Sequence, residues 1–277
     1  ASPVYKKQIH LKADNEQETA DVGLQSFVDI SRDSIQILKV NNAFKAIELF
    51  SYSFPYSSDN GVWTAQTKEL IESSEFQDAI GDSNKHFSVS DSLITLIPSS
   101  LYSESTINEN FEFVFGRIEE LNLRQYQFKN SEIIGIHALP KELSNAIGEG
   151  YSSSFLTWVD ELIGNSQRTS AHLILEATQF ALVVFRDSKL AFSNWFSYGK
   201  PDDVLYFLMP TLESLNILHS DMQLVLGGIV NKGDETFQTI SRFISKTSFQ
   251  KAPKNLTYSY SFSQLSEHRF PYLFATA

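Results

Sequence analysis

The chain has 277 residues, of which 42% are hydrophobic and 20% charged, a balance typical of a folded protein of one or two domains. The formal net charge of −11 disfavours binding to nucleic acid and to anionic lipid, because both depend on lysine and arginine neutralising phosphate. The chain has no cysteine, which excludes disulfides, thiolate catalysis and iron–sulfur clusters.

Apolar runs are short along the whole chain. A run such as Ala181–Phe185 is far below the ~20 residues that a membrane span needs. The first 23 residues are polar, and no apolar core of a signal peptide stands among them. The sequence therefore predicts a cytoplasmic protein with no membrane span and no nucleic-acid partner.

The first module begins with three β-rich segments: Leu24–Ser31, Ser34–Val40 and Phe44–Phe54. The breaks between them, Arg32–Asp33 and Asn41–Asn42, are short polar turns of the kind that close hairpins. An antiparallel meander is therefore expected.

A helix and one further strand complete this module. The spacing of apolar residues predicts a helix over Thr64–Ile80, with Gly81 as its natural end. Phe87–Ile97 then has the composition of a strand, and Pro98 ends it. The order is strand, strand, strand, helix, strand.

The same order recurs in the second half of the chain. The segments Ala171–Ala177, Phe180–Phe185 and Lys189–Trp195 predict three strands, and Pro201 begins a helix with acidic residues in its first turn. A buried strand follows at Gln223–Leu226. The repeat is one of element order and not of residues, and it is the most informative feature of the sequence.

The two modules are joined by a segment with structure of its own. Strands are predicted at Leu123–Phe128 and Glu132–Ala138, followed by a helix that starts at Pro140. A second helix, capped by Ser152–Ser154, carries an apolar stripe on one face. We predict a polar N-terminal segment over 1–23, with a short strand candidate at Ile9–Leu11. A first lobe over 24–150 and a second lobe with a C-terminal tail over 151–277 follow.

Two copies of this element order match the architecture of actin-like ATPases, a duplicated ribonuclease-H-like fold. From about Leu24 onward the chain resembles a bacterial family, domain of unknown function 3822, found in Bacteroidota. The resemblance is carried by LITLIPSSLY at 93–102, IIGIHALPKEL at 133–143, and LAFSNWFSYGKPDDVLYFLMPTLESLNI followed by LVLGGIV. It implies an α/β fold with mixed α+β sheets and two lobes around a nucleotide cleft. It implies no activity, because the family has none assigned and fold does not fix function.

The resemblance also indicates where a nucleotide would bind. Actin-like ATPases hold phosphates with two strand–turn–strand loops, each with an acidic residue and, two positions on, a glycine. A Cβ at that glycine would block close approach of the phosphate. The first loop here has Asp29 and then Ser31 in place of glycine, and Arg32 is a poor substitute for a backbone cradle. The second has Glu176 and Thr178 and no glycine, so both loops are predicted to be degraded.

A third element follows the strand of the second module. Gly227 and Gly228 resemble the adenosine-contacting motif of the superfamily, although two glycines after a strand also form an ordinary turn. The candidate cofactor-binding residues are therefore Asp29, Ser31, Glu176, Thr178, Gly227 and Gly228, with ATP and Mg²⁺ as the implied ligand. No residue is predicted to be catalytic or to bind a metal directly.

The segment Asn194–Tyr198 has three large rings in four positions. These rings cannot all lie on one face of a strand, so some either contact a partner or pack under the following helix. We predict a non-catalytic scaffold or interaction protein with a protein partner. The alternative is a nucleotide-binding regulator or weak ATPase that uses the cleft. A nuclease-like site ranks last, because it needs clustered carboxylates and only Asp29 and Glu176 are candidates.

Overall fold

The computed structural model describes residues 3–14, 23–165 and 168–277. The chain forms two compact units. The first consists of Ala1–Trp158, Pro253–Gln264 and Tyr272–Ala277, and the second of Val159–Ala252 and Leu265–Pro271. Residues 1, 2 and 15–22 of the predicted polar segment lie outside the described residues. Among the described residues, no helix is long and apolar enough to cross a membrane.

The first unit contains two sheets and the helices that cover them. Its elements, in chain order, are β1 (Lys6–Lys12), β2 (Gln25–Ile30), β3 (Ser34–Val40), β4 (Lys45–Ser53), α1 (Asn60–Ile71), α2 (Ser74–Ile80), β5 (Asn84–Val89), β6 (Ile94–Pro98), α3 (Ile107–Phe115), β7 (Leu121–Gln127), β8 (Ile133–Pro140), α4 (Lys141–Ile147), β9 (Ser152–Ser153) and the start of α5 (Ser154–Asn165).

The larger sheet has the strand order β1-β4-β3-β2-β5-β9. Strands β2, β3 and β4 form the predicted antiparallel meander, and β1 adds to it antiparallel at β4. Strands β2, β5 and β9 run parallel. Alternate residues of β2 and β3, such as Val28, Ile30 and Ile35, pack in one core with Trp63 of α1 and Phe76 of α2. The smaller sheet, β6-β8-β7, packs against α3 through a second cluster.

The second unit repeats this arrangement with fewer strands. Its elements are β10 (Ser170–Leu175), β11 (Gln179–Arg186), β12 (Lys189–Ser197), α6 (Pro201–Ser214), β13 (Gln223–Gly228), α7 (Glu235–Phe243) and β14 (Thr247–Phe249). The strand order is β12-β11-β10-β13-β14, with β10 parallel to β13 just as β2 is parallel to β5. The predicted duplication of element order is confirmed.

The C-terminal tail contributes to both units. Strand β15 (Thr257–Tyr258) pairs with β4 of the first unit, and helix α8 (Pro271–Thr276) ends the chain. Leu265–Pro271, between these two elements, belongs to the second unit.

Two predicted elements are wrong in their extent, and α3 was not predicted. The helix expected over Thr64–Ile80 is two helices, because the Ser73 hydroxyl donates to Leu70 O at 2.6 Å and accepts from Phe76 N at 3.1 Å. The first contact ends α1 and the second caps α2. The strand expected over Phe87–Ile97 is also two strands, β5 and β6, which belong to different sheets.

Removing the cap between the two helices should destabilise the first unit. Replacing an N-cap serine by alanine costs about 1 kcal/mol, because an N–H at the helix start loses its acceptor. We expect Ser73→Ala to lower the free energy of unfolding by about that amount in urea denaturation. Ser73→Asp should recover most of it, since aspartate is an equally good N-cap. Equal stability of Ser73→Ala and wild type would contradict this role.

Candidate functional site

Asp29 lies on β2 in the core of the first unit, where its side chain is surrounded by serine hydroxyls. Because β2 and β5 are parallel, Asp29 is in register with Ser88. Ser88 Oγ donates to Asp29 Oδ1 at 2.9 Å and Ser90 Oγ donates to Oδ2 at 3.3 Å. The buried Ser154 hydroxyl, at the start of α5, acts on the same carboxyl group.

Burial raises the pKa of Asp29 from its ordinary 3.8 to about 6, because the ionised form loses its hydration. The hydroxyls of Ser154, Ser88 and Ser90 act in the opposite direction, since they stabilise the carboxylate, but they do not offset the effect of burial. The group therefore titrates close to neutral pH, where a small change in its surroundings changes its charge.

The turn after Asp29 is closed by its own side chains. Ser31 Oγ donates to Asp33 Oδ1 at 2.8 Å and accepts from the Ser34 N–H at 3.1 Å. The Ser31 N–H donates to Ser34 O at 2.9 Å, and Ser31 O accepts from Trp63 Nε1 at 2.8 Å. Both main-chain groups of Ser31 and its hydroxyl thus have partners within the unit.

Arg32 is buried, and its guanidinium has a protein acceptor for each of its five N–H groups. Two N–H groups bind Asp91, from Nε to Oδ1 at 2.7 Å and from Nη2 to Oδ2 at 3.0 Å. A third binds Asn60 Oδ1 at 3.0 Å, and Nη1 reaches Ser57 O and Ser58 O at 3.3 and 3.2 Å. This is a bidentate buried ion pair with further hydrogen bonds.

The Arg32 guanidinium also lies over the Trp63 ring, with 4.5 Å between the guanidinium carbon and the ring centroid. No pattern in the sequence points to Trp63 or Asp91 as partners of Arg32. Asp91 lies in the link between β5 and β6, a region that the sequence predicts as one continuous strand. The serines that bind Asp29 do have a signal in the sequence, because Ser88 and Ser90 are two positions apart in the predicted strand and place two hydroxyls on one face.

A small pocket adjoins this region, and Asp91, His137 and Ser153 contribute to its lining. Its volume of about 10 Å³ leaves room for about one water molecule. Burial lowers the pKa of His137 to about 4, with the Arg124 charge as the lesser cause, so the imidazole is neutral at physiological pH. Within the described ranges, no group of three or more His, Asp or Glu side chains is arranged to hold a metal ion.

The second predicted phosphate turn, at residues 176–179 of the second unit, is tied to Tyr198 by two hydrogen bonds. Its hydroxyl donates to Glu176 O at 2.7 Å and its N–H donates to Thr178 O at 3.0 Å. Gln179 Nε2 donates to Glu176 Oε2 at 2.8 Å, and the Glu176 N–H donates to Gln179 O at 2.9 Å. Burial and, to a lesser degree, the Glu176 charge raise the pKa of Tyr198 to about 12, so its hydroxyl stays protonated as a donor.

Gly227 and Gly228 end β13 and pair with Ile174 and Leu175 of β10. A Cβ on Gly228 would overlap the carbonyl oxygen of Leu175, and its φ of +86° is in the left-handed region. A Cβ on Gly227 would lie 2.7 Å from Ile174 Cδ1. The pairing of β13 with β10 is therefore enough to require glycine at position 228, without any role in ligand binding.

The six predicted residues are divided between the units. Asp29 and Ser31 lie in the first, whereas the other four lie at one end of β10 and β13 in the second: Glu176, Thr178, Gly227 and Gly228. Ile229 N donates to Leu175 O at 2.9 Å, which joins the end of β13 to the residue before Glu176.

Asp29 should make the stability of the protein fall as pH rises. Its pKa in the folded chain lies above that of the unfolded chain, so between about pH 4 and pH 6 the folded chain binds more protons and loses stability with rising pH. The cost at neutral pH is up to about 3 kcal/mol. We expect Asp29→Asn to be more stable than wild type by up to that amount near pH 8, in urea denaturation.

The difference between the two proteins should shrink as pH falls from 6 to 4 and disappear below about pH 3, where the wild-type carboxyl is protonated in both states. An amide has nearly the same shape as the carboxyl and can exchange hydrogen bonds with the serine hydroxyls. A difference in stability that does not change with pH would contradict the raised pKa.

Gly228 and Gly233 of the second unit differ in their surroundings and provide a matched comparison. Gly228→Ala should lower the free energy of unfolding by more than about 2 kcal/mol, because of the left-handed φ and the Leu175 carbonyl. Gly233→Ala should change it by less than about 0.5 kcal/mol, since no atom lies within 4 Å of the new Cβ. Equal effects in thermal denaturation would show that Gly228 is not required by packing.

The structure is similar to solved structures of one fold. A Bacteroides thetaiotaomicron protein of unknown function with an actin-like ATPase fold has a TM-score of 0.72 and 16% identity, over 89% of this chain and 96% of that one. A chain of the PilM–PilN type IV pilus biogenesis complex has a TM-score of 0.62 and 12% identity, over 92% and 97%. Identities this low show the fold alone, and the predicted actin-like ATPase fold is confirmed.

No curated protein matches the chain by sequence. The family described as protein of unknown function, DUF3822, matches residues 26–247, which is most of the chain and includes the meander, both predicted turns and the two glycines. The chain belongs to the DUF3822 family.

Proposed function

We propose that the protein is a non-catalytic member of the actin-like fold that acts as a scaffold or interaction protein. The proposal rests on the hydrogen bonds of Arg32, which is the one cation in the first predicted phosphate turn. Each of its five N–H groups has a protein acceptor, so the guanidinium offers no donor to a phosphate unless one of these hydrogen bonds breaks.

The remaining groups of the first turn also fit a phosphate poorly. The Ser34 N–H, which an anion would need, donates to Ser31 Oγ, and the Ser31 hydroxyl donates to Asp33. Asp33 places a carboxylate in the turn, and the carboxylate of Asp91 lies against Arg32. An incoming anion would meet the Asp33 carboxylate and an arginine whose charge Asp91 already neutralises.

The second predicted turn supports the same conclusion with different residues. Tyr198 occupies the carbonyl oxygens of Glu176 and Thr178, and Gln179 binds the Glu176 side chain. The turn has no glycine, so every residue in it carries a Cβ, which hinders the close approach of a phosphate to the backbone N–H groups. The proposal therefore assigns these turns to holding the fold together.

One similar structure was solved as part of the PilM–PilN complex, which supports a role in a protein complex for a chain of this fold. The PilM–PilN assembly itself is a property of that protein. We propose only that a chain of this fold whose phosphate turns are occupied by its own side chains serves through contacts with another protein.

A nucleotide-binding regulator or weak ATPase is the alternative, and Asp29 is the observation in its favour. A buried carboxyl whose pKa lies near 6 is destabilising, and such groups concentrate at functional sites. In this alternative Asp29 would hold Mg²⁺ through water and Gly228 would contact the nucleoside. The nuclease alternative needs clustered carboxylates, and the described residues offer no such cluster.

A thermal-shift titration separates the two proposals. A ligand present at 100 times its Kd stabilises the folded state by about 2.7 kcal/mol, which raises the midpoint of a chain of this size by several degrees. We expect millimolar ATP, ADP or GTP with Mg²⁺ to shift the midpoint by less than about 1 °C.

The titration without Mg²⁺ and the same titration of Asp29→Asn are the controls. A shift that requires Mg²⁺ and disappears in Asp29→Asn would overturn the non-catalytic proposal in favour of the nucleotide-binding one. A shift that persists in both controls would indicate an anion that binds elsewhere, and it would leave the two turns as proposed.

A further inference from the structure

Helix α3 carries large apolar side chains on its outer face as well as on its inner one. Ile107, Phe111 and Phe115 recur every four residues and pack on the β6-β8-β7 sheet, so they form the inner face. Phe113 lies about 200° around the helix axis from Phe111. It is 92% exposed, whereas Phe111 is 2% exposed. The core of the first unit therefore does not account for Phe113.

The exposed phenylalanine belongs to a segment that is rich in exposed apolar side chains. Four of the eleven exposed large hydrophobic side chains among the described residues lie within residues 101–118: Leu101, Phe113, Val114 and Ile118. A single apolar side chain on a surface is ordinary, whereas several in one short segment mark a place where another molecule binds. We refer to four exposed residues of α3, Glu109, Glu112, Phe113 and Val114, as the α3 surface.

The same segment is strongly acidic. Residues 101–120 contain five glutamates and one arginine. Glu109 precedes Phe113 by about one helical turn, so the two side chains are neighbours on one face. In the described part of the chain, the ion pairs of this segment join Glu119 to Arg117 and Glu120 to Lys141, and they do not include Glu109 or Glu112. The α3 surface is therefore apolar at its centre and negative beside it.

The charge of the α3 surface determines which partner fits it. Anionic lipid is repelled by the glutamates. A second copy placed symmetrically on the same surface would bring the glutamates of both copies together, in a chain whose net charge is already −11. A segment whose apolar side chains are flanked by lysine or arginine complements both features. Its cations pair with the glutamates, and a cation over the Phe113 ring adds a further attraction.

We propose that the α3 surface binds a cationic amphipathic helix of a partner protein. Apolar side chains of the partner pack on Phe113 and Val114, and its lysines or arginines pair with Glu109 and Glu112. An amphipathic helix presents such side chains together, because residues three and four positions apart lie on one face. The inference rests on the proposed interaction role and adds the chemical class of the partner.

Binding of a model peptide to the full chain tests the proposal. The probe is a fluorescent helical peptide of about 15 residues with leucine on one face and lysine on the other, and its counterpart has glutamate in place of lysine. We expect the lysine peptide to bind at micromolar concentration in fluorescence anisotropy, more weakly as salt is added, and the glutamate peptide not to bind.

Phe113→Gln removes the apolar centre of the surface and keeps a residue that favours helix. It should weaken binding of the lysine peptide by about tenfold or more, because a buried phenylalanine ring is lost from the contact. Phe243→Gln is the matched control, at an exposed phenylalanine of α7 in the second unit, and should leave the affinity unchanged.

Reversing the charge of the α3 surface separates this site from the general attraction between a lysine peptide and an acidic chain. We expect Glu109→Lys combined with Glu112→Lys to bind the glutamate peptide in preference to the lysine peptide. Glu213→Lys combined with Glu235→Lys makes the same change of charge at two exposed glutamates of the second unit, and it should keep the preference for lysine. Unchanged midpoints in urea denaturation show that the variants are folded.

No binding of the lysine peptide would overturn the proposal, as would control variants that weaken it as much as the α3 variants do. A dimer of the chain alone, or binding to anionic vesicles, that Phe113→Gln abolishes would also overturn it, because a different occupant would then cover the surface. The titration with ATP, ADP and GTP tests the non-catalytic role separately, so the failure of one proposal is distinguishable from the failure of the other.

Discussion

The ion pair between Arg32 and Asp91 is the interaction on which the first unit depends. Its two charges are both buried, and removing one partner of such a pair costs about 3–5 kcal/mol because the other is left without compensation. The guanidinium joins three separate parts of the chain: the turn between β2 and β3, the residues before α1, and the link between β5 and β6. Trp63 completes the arrangement, with its ring against Arg32 and its indole N–H on Ser31 O.

This use of Arg32 has a consequence for Asp29. The arginine three residues away pairs with Asp91, so Asp29 is met by neutral hydroxyls, which stabilise a carboxylate less than a cation does. Burial then dominates, and its pKa rises towards neutral. The pairing of Arg32 with Asp91 thus closes the turn, and it also leaves the Asp29 carboxyl in the core without a cation beside it, where it destabilises the fold. Such a cost is expected where a group is retained for function, or where a former site has not been replaced by apolar packing.

The sequence predicted the features that depend on neighbouring residues. The bounds Ser34–Val40 of β3 agree with the structure because apolar and polar residues alternate there, and Gly81 ends α2 as expected. The break at Ser73 was missed because the apolar pattern continues across it, and it depends on a hydroxyl that serves two helices. Asp91 was missed for a different reason. It contacts Arg32 across 59 positions of the chain, and no local pattern reports such a pair.

The two units close the same turn of the same fold with unrelated contacts. In the first, a serine hydroxyl and a buried ion pair satisfy the polar groups, whereas in the second a tyrosine two strands away does so. A turn that binds a phosphate must present N–H donors to it, which limits the contacts that can close the turn. A turn that only has to satisfy its own backbone can do so with any side chain within reach. The different solutions in the two units agree with a fold retained for its shape.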